Sequence, residues 1–222
     1  MQKLKKIIFF IERQLVEFGE KTGLHFLVYN PITWGRFFVS AQRNGRAFAT
    51  ACRTHFSDIH SILDFGAGAG GYVRALRSAG FSADGLEYSK VGRALSYLCG
   101  LKMFPWVCGD RKCLSRLPHP RYDIVISIEV AEHLEPGLGQ SLVDQMSASA
   151  DLIIFSAAQP GQGGQGHINE QPKEIWEKLF FAKGFFFLAP FTRDFISSME
   201  ANGFRGCALA NLMIFKRQKK LF

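Results

Sequence analysis

Short apolar runs alternate with segments of helical spacing between residues 60 and 157. Strands are predicted at SILDF (61–65), SADGLEY (82–88), FPWVC (104–108), YDIVISI (122–128) and DLIIFSA (151–157), with helices at 72–79, 90–99 and 138–149. The run at 122–128 is apolar almost throughout, which is typical of a strand covered on both faces. The alternation predicts an α/β fold, in which a parallel sheet carries helices on both faces.

The two ends of the chain have a different pattern. Apolar residues recur at helical spacing at Ile7, Ile8, Ile11, Leu15 and Phe18, and again from Trp34 to Phe56. We therefore expect a helical N-terminal extension (1–57), a main domain (58–217) and a basic tail (218–222). Further helices are predicted at 172–182 and 192–202. The segment 207–217 predicts two closing strands or a hairpin, with antiparallel pairing at one edge of the sheet.

Composition narrows the class of protein. Of 222 residues, 47% are apolar and 21% charged, which excludes intrinsic disorder. No apolar run reaches the ~18 residues of a membrane span, and no cleavage site follows Ile7–Ile11, so we expect a cytoplasmic protein.

The net charge of +8 is concentrated towards the ends of the chain, which indicates no DNA partner and disfavours an RNA partner. The first helix is expected to pack on the domain; peripheral membrane contact is the alternative, because Lys and Phe flank its apolar stripe.

The segment ILDFGAGAGG (62–71) carries the clearest chemistry. A predicted strand ends near Asp64, and Gly66, Gly68 and Gly70 follow before a helix begins. Glycines let a ligand approach the backbone, and the helix N-terminus offers N–H donors. Open α/β sheets bind ligands at this end of their strands. Because Gly66, Gly68 and Gly71 also satisfy GxGxxG, an NAD(P)-dependent oxidoreductase is an alternative.

Three carboxylates separate these alternatives. Asp64 ends the first strand, Glu87 ends the second, and Asp110 follows the third. A carboxylate at Asp64 is awkward beside a pyrophosphate but suits an ammonium group, and Asp110 can accept a proton from an adenine amino group. A cationic, phosphate-free adenosine ligand fits this set better than NAD does. The sequence therefore predicts S-adenosylmethionine as the cofactor.

ILDFGAGAGG, GLEYS (85–89), GD (109–110) and YDIVISIEVAEHLEP (122–136) resemble class I S-adenosylmethionine-dependent methyltransferases. The resemblance covers about residues 58–217, and EVAEHL is similar to the branch of the ubiquinone-biosynthesis O-methyltransferases. It implies a Rossmann-like, seven-stranded, mostly parallel sheet with an antiparallel edge strand, and direct methyl transfer. It places Asp64, Gly66, Ala67, Gly68 and Gly70 along the methionine and ribose, Glu87 at the ribose hydroxyls, Tyr88, Asp110 and Arg111 around the adenine, and Glu129 and Val130 on the sulfonium side.

Catalytic candidates follow the fourth and fifth strands. His133 and His167 are candidate bases for an alcohol or phenol acceptor, and Glu132 accompanies them. Glu129, Glu132, His133 and His167 together resemble the divalent-metal site of the small-RNA 3′-terminal 2′-O-methyltransferases. Such a set would suit Mg²⁺ or Mn²⁺. We expect no metal site, with packing and helix capping by these residues, and keep the metal as the alternative.

The expected reaction is methyl transfer to a small-molecule acceptor, with oxygen as the favoured atom and nitrogen or carbon open. The alternatives are a metal-dependent RNA ribose 2′-O-methyltransferase, an NAD(P)-dependent oxidoreductase and a cofactor-binding scaffold without activity. The loop at 160–166, with four Gly, is expected to close over the acceptor. The phenylalanines at 180–191 predict core packing, with an apolar acceptor pocket as the alternative. The sequence does not indicate the oligomeric state.

Overall fold

One mixed sheet with helices on both of its faces makes up the computed structural model, which describes residues 2–22 and 30–218. In chain order the elements are α1 (Gln2–Thr22), α2 (Pro31–His55), β1 (Ser61–Phe65), α3 (Gly71–Ser78), β2 (Ser82–Glu87), α4 (Lys90–Leu98), β3 (Phe104–Pro105), β4 (Ile124–Ile128), α5 (Leu138–Ser149), β5 (Leu152–Ser156), α6 (Lys173–Phe181), β6 (Phe185–Phe187), α7 (Ala189–Ala201), α8 (Ala208–Asn211) and β7 (Met213–Arg217). Two 3₁₀ turns lie at Arg111–Arg116 and Ala131–His133.

The strand order is β3-β2-β1-β4-β5-β7-β6. Strand β7 runs antiparallel to both of its neighbours, and the other six strands share one direction. This confirms the predicted seven-stranded, mostly parallel sheet, with antiparallel pairing at one edge. The order reverses between β1 and β4, and the crevice beyond the carboxyl ends of such a strand pair is where open α/β folds bind ligands.

The prediction of a closing hairpin at 207–217 was wrong. This segment forms the short helix α8 and then β7. The outer partner of β7 is β6, which comes from the phenylalanine-rich segment before α7. Short apolar runs do not distinguish a buried helical turn from a strand, because neither spans enough residues to show its period. Strand β3 is also shorter than predicted, at two residues.

Two apolar cores cover the two faces of the sheet. Phe48 and Phe195 are fully buried on the face that α2, α3 and α7 cover. On the other face Phe180 stacks on Phe215, with ring centroids 4.4 Å apart, and Phe185 is buried beside them. Phe180 and Phe185 therefore pack in the core, as predicted, whereas the neighbouring Phe181 is 62% exposed.

Helix α2 packs against the first turns of α3. Asn30 caps α2 by accepting hydrogen bonds from the N–H groups of Ile32 and Thr33, and Pro31 is the first helical residue. A Cβ placed on Gly45 would lie 2.9 Å from the Cβ of Ala75, so glycine permits the close approach of the two helices. The predicted extension therefore shares its core with the main domain; its boundary at residue 57 stays a prediction.

Helix α1 packs on the rest of the molecule through the side that carries Glu12, and not through the apolar residues Ile11 and Phe18. Glu12 is buried and accepts bonds from Arg36 (2.7 Å) and Thr33 (3.1 Å) of α2. Ile11 and Phe18 are exposed, so the expectation that the apolar stripe packs on the domain was wrong for them. The ion pair and the hydrogen bond offset the cost of burying this carboxylate on the side of α1 that meets α2.

Some expectations fall outside the described part of the chain. The side chains of Ile7 and Ile8 lie outside it, and so does the predicted basic tail beyond residue 218. Among the helices of 2–22 and 30–218, none combines the length and apolar character that crossing a bilayer requires.

Two glycines of α2 provide a matched test of the packing of α2 on α3. A Cβ added at Gly35 would have no atom within 4 Å, whereas the Cβ of an alanine at position 45 would meet Ala75 at 2.9 Å and the Tyr72 backbone at 3.3 Å. We expect Gly35→Ala to raise the free energy of unfolding by about 0.5–1 kcal/mol, and Gly45→Ala to lower it by about 1–3 kcal/mol. Urea denaturation measures both. Equal effects of the two substitutions would contradict the close packing of α2 on α3.

Candidate active site

The loop between β1 and α3 forms the floor of the candidate site. Gly66, Gly68 and Gly70 have φ values of +77°, +57° and +86°, which L side chains rarely adopt. The N–H groups of Gly66 and Ala67 both donate to the carbonyl oxygen of Leu86 at 2.9 Å. The glycine spacing seen in the sequence is therefore a requirement of the backbone, which turns sharply while it stays bound to the end of β2.

Bulky side chains pack directly on these glycines. A Cβ on Gly68 would lie 2.9 Å from the Trp34 ring of α2, and a Cβ on Gly66 would lie 2.6 Å from a Val130 methyl group. Val130, predicted to face the sulfonium, thus lies against the glycine-rich loop. Trp34 was not predicted as a site residue; its place in an apolar helical pattern did not distinguish it from core residues.

Two buried carboxylates flank this loop. Glu87 accepts the N–H of Gly68 at 2.7 Å and that of Ser89 at 2.6 Å. Asp64 is 4% exposed, and the described residues give its carboxylate no hydrogen bond. Burial raises the pKa of Asp64 well above its usual value, and the nearby charge of Glu87 adds to the shift. Burial also raises the pKa of Glu87, although its bonds to backbone N–H groups oppose the shift.

The predicted adenine-side residues follow β2 and β3. Because β1, β2 and β3 are neighbouring parallel strands, their carboxyl ends lie side by side. Asp64, Glu87 and Asp110 therefore all lie towards the carboxyl ends of these strands. Asp110 caps the 3₁₀ turn that Arg111 begins, by accepting the N–H of Lys112 at 2.9 Å. Tyr88 is 71% exposed, which leaves its ring accessible beside Glu87.

Glu129 has a strained backbone at the end of β4. Its φ of +54° is the one positive value at a non-glycine residue in the described part of the chain. Its carboxylate accepts the side-chain amide of Asn211 at 3.2 Å and that of Gln162 at 3.5 Å. Asn211 is buried and donates to Gln162 as well. Sequence reasoning missed Asn211, since nothing in the chain marks it as a neighbour of Glu129.

Tyr72, also missed by sequence reasoning, lies near both Asp64 and Glu129. Burial raises the pKa of its phenol, and the neighbouring acidic groups of Asp64 and Glu129 raise it further. The phenol therefore stays protonated near neutral pH and can donate a hydrogen bond to an acidic neighbour or to a ligand. Its only mark in the sequence is its position in the first turn after the glycine-rich loop.

The three predicted catalytic residues come together. Ligand atoms of Glu132, His133 and His167 lie within 4.8 Å of one another, and the two imidazole centroids are 5.0 Å apart. Glu132 is fully buried, and neither of its carboxylate oxygens has a hydrogen-bond partner among the described residues. Burial, with the charge of Glu129 nearby, raises the pKa of Glu132 to about 8. Such a shift in a cleft is typical of functional sites.

Backbone contacts hold the loop after β5 against the turn after β4. The N–H groups of Ile168 and Asn169 both donate to the carbonyl oxygen of Glu132, at 2.9 and 3.0 Å. His133 Nδ1 donates to the carbonyl oxygen of Gly166 at 3.1 Å, and burial lowers the pKa of this histidine. The loop also reaches α2, through a bond from Gln165 to Thr33 at 3.5 Å.

Glu170 orients His167 and was not predicted. Its carboxylate accepts His167 Nδ1 at 2.9 Å and the N–H groups of Gly161 and Gly163 at 2.8 Å. This bond to Nδ1 leaves the lone pair of Nε2 directed towards Glu132, whose Oε1 is 4.0 Å away. An acidic residue three positions after His167 was the available indication in the sequence.

The donor set fits a cation, although no metal site was expected. Two imidazoles and a buried carboxylate without hydrogen bonds are ligands that a divalent ion uses. Glu129, the fourth member of the predicted set, lies outside this cluster and is bound by Asn211 and Gln162 instead. The geometry therefore supports three of the four ligands that the resemblance implies.

Comparison with known proteins identifies the fold. No protein-family model matches the sequence, and no curated protein matches it significantly. Solved structures do match. The magnesium protoporphyrin IX methyltransferase of Synechocystis PCC 6803, solved with bound S-adenosylhomocysteine, has a TM-score of 0.58 at 14% identity over 81% of this chain and 84% of its own.

Two further solved structures have the same kind of fold. A sugar N-methyltransferase from a Streptoalloteichus species has a TM-score of 0.58 at 14% identity, over 82% of this chain and 88% of its own. The mitomycin 7-O-methyltransferase MmcR has a TM-score of 0.55 at 15% identity, over 86% of this chain and 60% of its own. The fold is therefore that of the S-adenosylmethionine-dependent methyltransferases.

The side chain of Asn169 offers a test of how the loop after β5 is joined to the turn after β4. It is buried and donates to the carbonyl oxygen of Ala131 at 3.3 Å. We expect Asn169→Ala to lower the free energy of unfolding by about 1–2 kcal/mol, because the hydrogen bonds of its side chain to Ala131 and from Gln171 are both lost. Hydrogen exchange should quicken at the amides of Ile168 and Asn169. Gln140→Ala, which removes an exposed side-chain bond to Asp144, is the control and should change neither. Unchanged exchange in Asn169→Ala would contradict a role of this side chain in joining the loop after β5 to the turn after β4.

Proposed function

We propose that this protein is a methyltransferase that moves the methyl group of S-adenosylmethionine to an oxygen atom of a small-molecule acceptor. The single observation that carries the proposal is the pair of buried carboxylates, Asp64 and Glu87, on either side of a loop with three left-handed glycines. A diphosphate would be repelled by this pair. A ligand with an ammonium group and ribose hydroxyls is matched by it, as the methyltransferase fold leads one to expect.

Each residue around the loop has a proposed task. Asp64 faces the ammonium group of the methionine part, and Glu87 accepts the ribose hydroxyls with the lone pairs that Gly68 and Ser89 leave. Gly66, Ala67, Gly68 and Gly70 supply the backbone surface, and Tyr88, Asp110 and Arg111 surround the adenine. Glu129 and Val130 lie on the side of the reacting methyl group. Bound S-adenosylmethionine supplies an electrophilic methyl group that needs no further activation by the protein.

We propose that His167 removes the proton from the acceptor hydroxyl. Its Nδ1–H is held by Glu170, which fixes the tautomer and leaves Nε2 as the basic atom. Glu132 lies next to this atom and, with a pKa of about 8, is largely protonated at neutral pH. In that form Glu132 can donate a hydrogen bond to the acceptor, while the His133 ring lies beside His167, with the two centroids 5.0 Å apart. Positioning and proton removal together account for the proposed catalysis.

The small-molecule class is supported by the structural neighbours, whose names refer to a porphyrin, a sugar and mitomycin. The ubiquinone-biosynthesis branch remains one proposal within this class. A second function is favoured by the cluster of Glu132, His133 and His167: these residues would hold Mg²⁺ or Mn²⁺, which binds adjacent hydroxyl groups of an acceptor such as a catechol or a ribose end. That second function includes the RNA 2′-O-methyltransferase alternative.

Calorimetric titration with S-adenosylhomocysteine tests the cofactor. We expect Glu87→Gln to weaken binding about 10- to 100-fold, because charge-assisted hydrogen bonds to the ribose are lost. The wild-type protein should bind NAD far more weakly than S-adenosylhomocysteine. Tight NAD binding with no binding of S-adenosylhomocysteine would overturn the proposal and favour the oxidoreductase. Glu200→Gln, an exposed change on α7, serves as the control.

The raised pKa of Asp64 predicts a pH dependence of this binding. Below its pKa in the free protein, Asp64 must lose a proton before it can pair with the ammonium group. The affinity should therefore rise with pH up to that pKa and then level off, and binding should release protons. We expect Asp64→Asn to bind more weakly and to release fewer protons. Titrations from pH 5 to 8 in buffers of different ionisation enthalpy measure both quantities. Identical proton release in the variant would exclude Asp64.

His167→Ala separates the base from the metal. We expect an unchanged affinity for S-adenosylhomocysteine and a 10²- to 10⁴-fold loss of methyl transfer, measured with labelled S-adenosylmethionine and a panel of phenols, catechols and sugars. Glu170→Gln should show a smaller loss. If the metal proposal is correct, Mn²⁺ titration followed by electron paramagnetic resonance will show a bound ion that His167→Ala loses, and a chelator will abolish transfer. Full transfer in the chelator excludes the metal, and unchanged transfer by His167→Ala excludes the base.

A further inference from the structure

An exposed segment of the loop after β5 lies over the imidazole that we propose as the base. Residues 160–164 face solvent, whereas the His167 side chain is only 12% exposed. A Cβ placed on Gly164 would overlap the imidazole ring of His167, so the backbone at this glycine lies directly against the ring. Residues 160–164, which we call the cover segment, therefore shield one side of His167 from water.

Polar contacts hold the cover segment on two sides. The N–H groups of Gly161 and Gly163 both donate to the carboxylate of Glu170, each at 2.8 Å. Between these two glycines, the side-chain oxygen of Gln162 accepts the amide of Asn211 at 2.9 Å. Hydrogen bonds at an exposed position exchange with bonds to water, so each contributes little by itself. The closed position of the segment therefore depends on a few side chains that release it when their bonds are lost.

Asn211 is the buried member of the second anchor. It is 2% exposed, and its amide nitrogen donates to Gln162 at 2.9 Å and to Glu129 at 3.2 Å. An amide nitrogen carries two hydrogens, so these two bonds use both of them. Gln162 closes the set with a bond of its own to Glu129 at 3.5 Å. One buried side chain thus joins the cover segment to the end of β4.

The one-turn helix α8 carries Asn211 to this position. Cys207, directly before α8, donates to the same Glu129 carboxylate through Sγ at 3.4 Å. On the other side, the N–H of Glu129 donates to the backbone and hydroxyl oxygens of Ser156, both at 3.1 Å. Contacts from two segments therefore hold Glu129 at its φ of +54°, a conformation that persists only where the surroundings enforce it.

We propose that Asn211 is a positioning residue, which keeps the cover segment closed over His167 by holding Gln162 against Glu129. It acts through these side chains and is not itself a catalytic residue. The consequence for the reaction rests on the proposed function: closure excludes water from the base and completes the acceptor site, so release of the segment weakens acceptor binding. Cofactor affinity should change little, because the hydrogen bonds described for Asn211 reach neither Glu87 nor the glycine-rich loop.

Hydrogen exchange and chemical modification measure the closure without any substrate. We expect Asn211→Leu, which removes both donors, to quicken exchange at the amides of residues 161–163 about tenfold. Diethylpyrocarbonate should then modify His167 faster to a similar degree, with the exposed His60 as the internal reference. Gln162→Ala changes only an exposed side chain and should have the same two effects, which keeps the test valid if Asn211→Leu does not fold.

An exchange of donor and acceptor separates positioning from packing. Asn211→Asp removes the donors and sets a second carboxylate beside Glu129, so we expect the same fast exchange. In the double variant Asn211→Asp, Glu129→Gln, the amide lies at position 129 and the carboxylate at 211, so the hydrogen bond can form again. The double variant should recover most of the lost protection. Asn202→Asp, at an exposed asparagine that ends α7, is the matched control and should change neither rate.

Turnover measures the consequence for the reaction. With the best acceptor among the phenols, catechols and sugars, Asn211→Leu should raise the acceptor KM about tenfold and lower kcat less. Calorimetry should show an affinity for S-adenosylhomocysteine that stays within about threefold of the wild type. Absence of S-adenosylhomocysteine binding by the wild-type chain would refute the proposed function, and the exchange and modification rates would still decide the closure.

Two outcomes would overturn the proposal. One is unchanged exchange at 161–163 with unchanged modification of His167 in both Asn211→Leu and Gln162→Ala; a lower melting temperature of Asn211→Leu in that case would assign this side chain to the packing of α8 alone. The other is a double variant that is no better protected than Asn211→Asp, because the hydrogen bond to position 129 would then not be what holds the cover segment.

Discussion

The carboxylate of Glu87 is the contact on which the candidate site depends. One oxygen accepts the N–H of Gly68 and the other that of Ser89, so a single side chain joins the glycine-rich loop to the start of α4. The loop can take this course because three glycines adopt left-handed conformations. Burial of a carboxylate is unfavourable, and these two short bonds offset part of that cost. The same carboxylate is the one that we propose for the ribose hydroxyls.

A second constraint joins the loops beyond β4 and β5. The carbonyl oxygen of Glu132 accepts two backbone N–H groups, while its carboxylate has no hydrogen-bond partner in the described structure. The carbonyl group of this residue thus joins the two loops, whereas its buried carboxylate makes no hydrogen bond to the described residues. The neighbouring Glu129 has a strained backbone conformation, and its carboxylate accepts hydrogen bonds from Asn211 and Gln162. Strain and unsatisfied polar groups persist where function requires them and the surroundings hold them in place.

Helix α2 lies between the glycine-rich loop and the surface of the molecule. Its inner side covers the glycine-rich loop through Trp34, and close packing at Gly45 fixes it against α3. Its outer side carries arginines and exposed apolar residues next to α1. One helix therefore covers the glycine-rich loop with one side and meets solvent with the other. A change in the position of α2 would be felt at both places, because the interior is closely packed.

The sequence by itself predicted the main strands, the parallel direction of the central ones, and the glycine-rich loop with its two carboxylates. These features depend on local spacing, because strand periodicity, left-handed glycines and acidic strand ends are written in neighbouring residues. Tertiary structure decided that β6 and not a hairpin partner pairs with β7, and that Ile11 and Phe18 of α1 face outward. It also decided that Asn211, Glu170 and Trp34 lie at the candidate site. Those outcomes depend on which distant segments meet, and on the buried ion pair of Glu12, which no local pattern encodes.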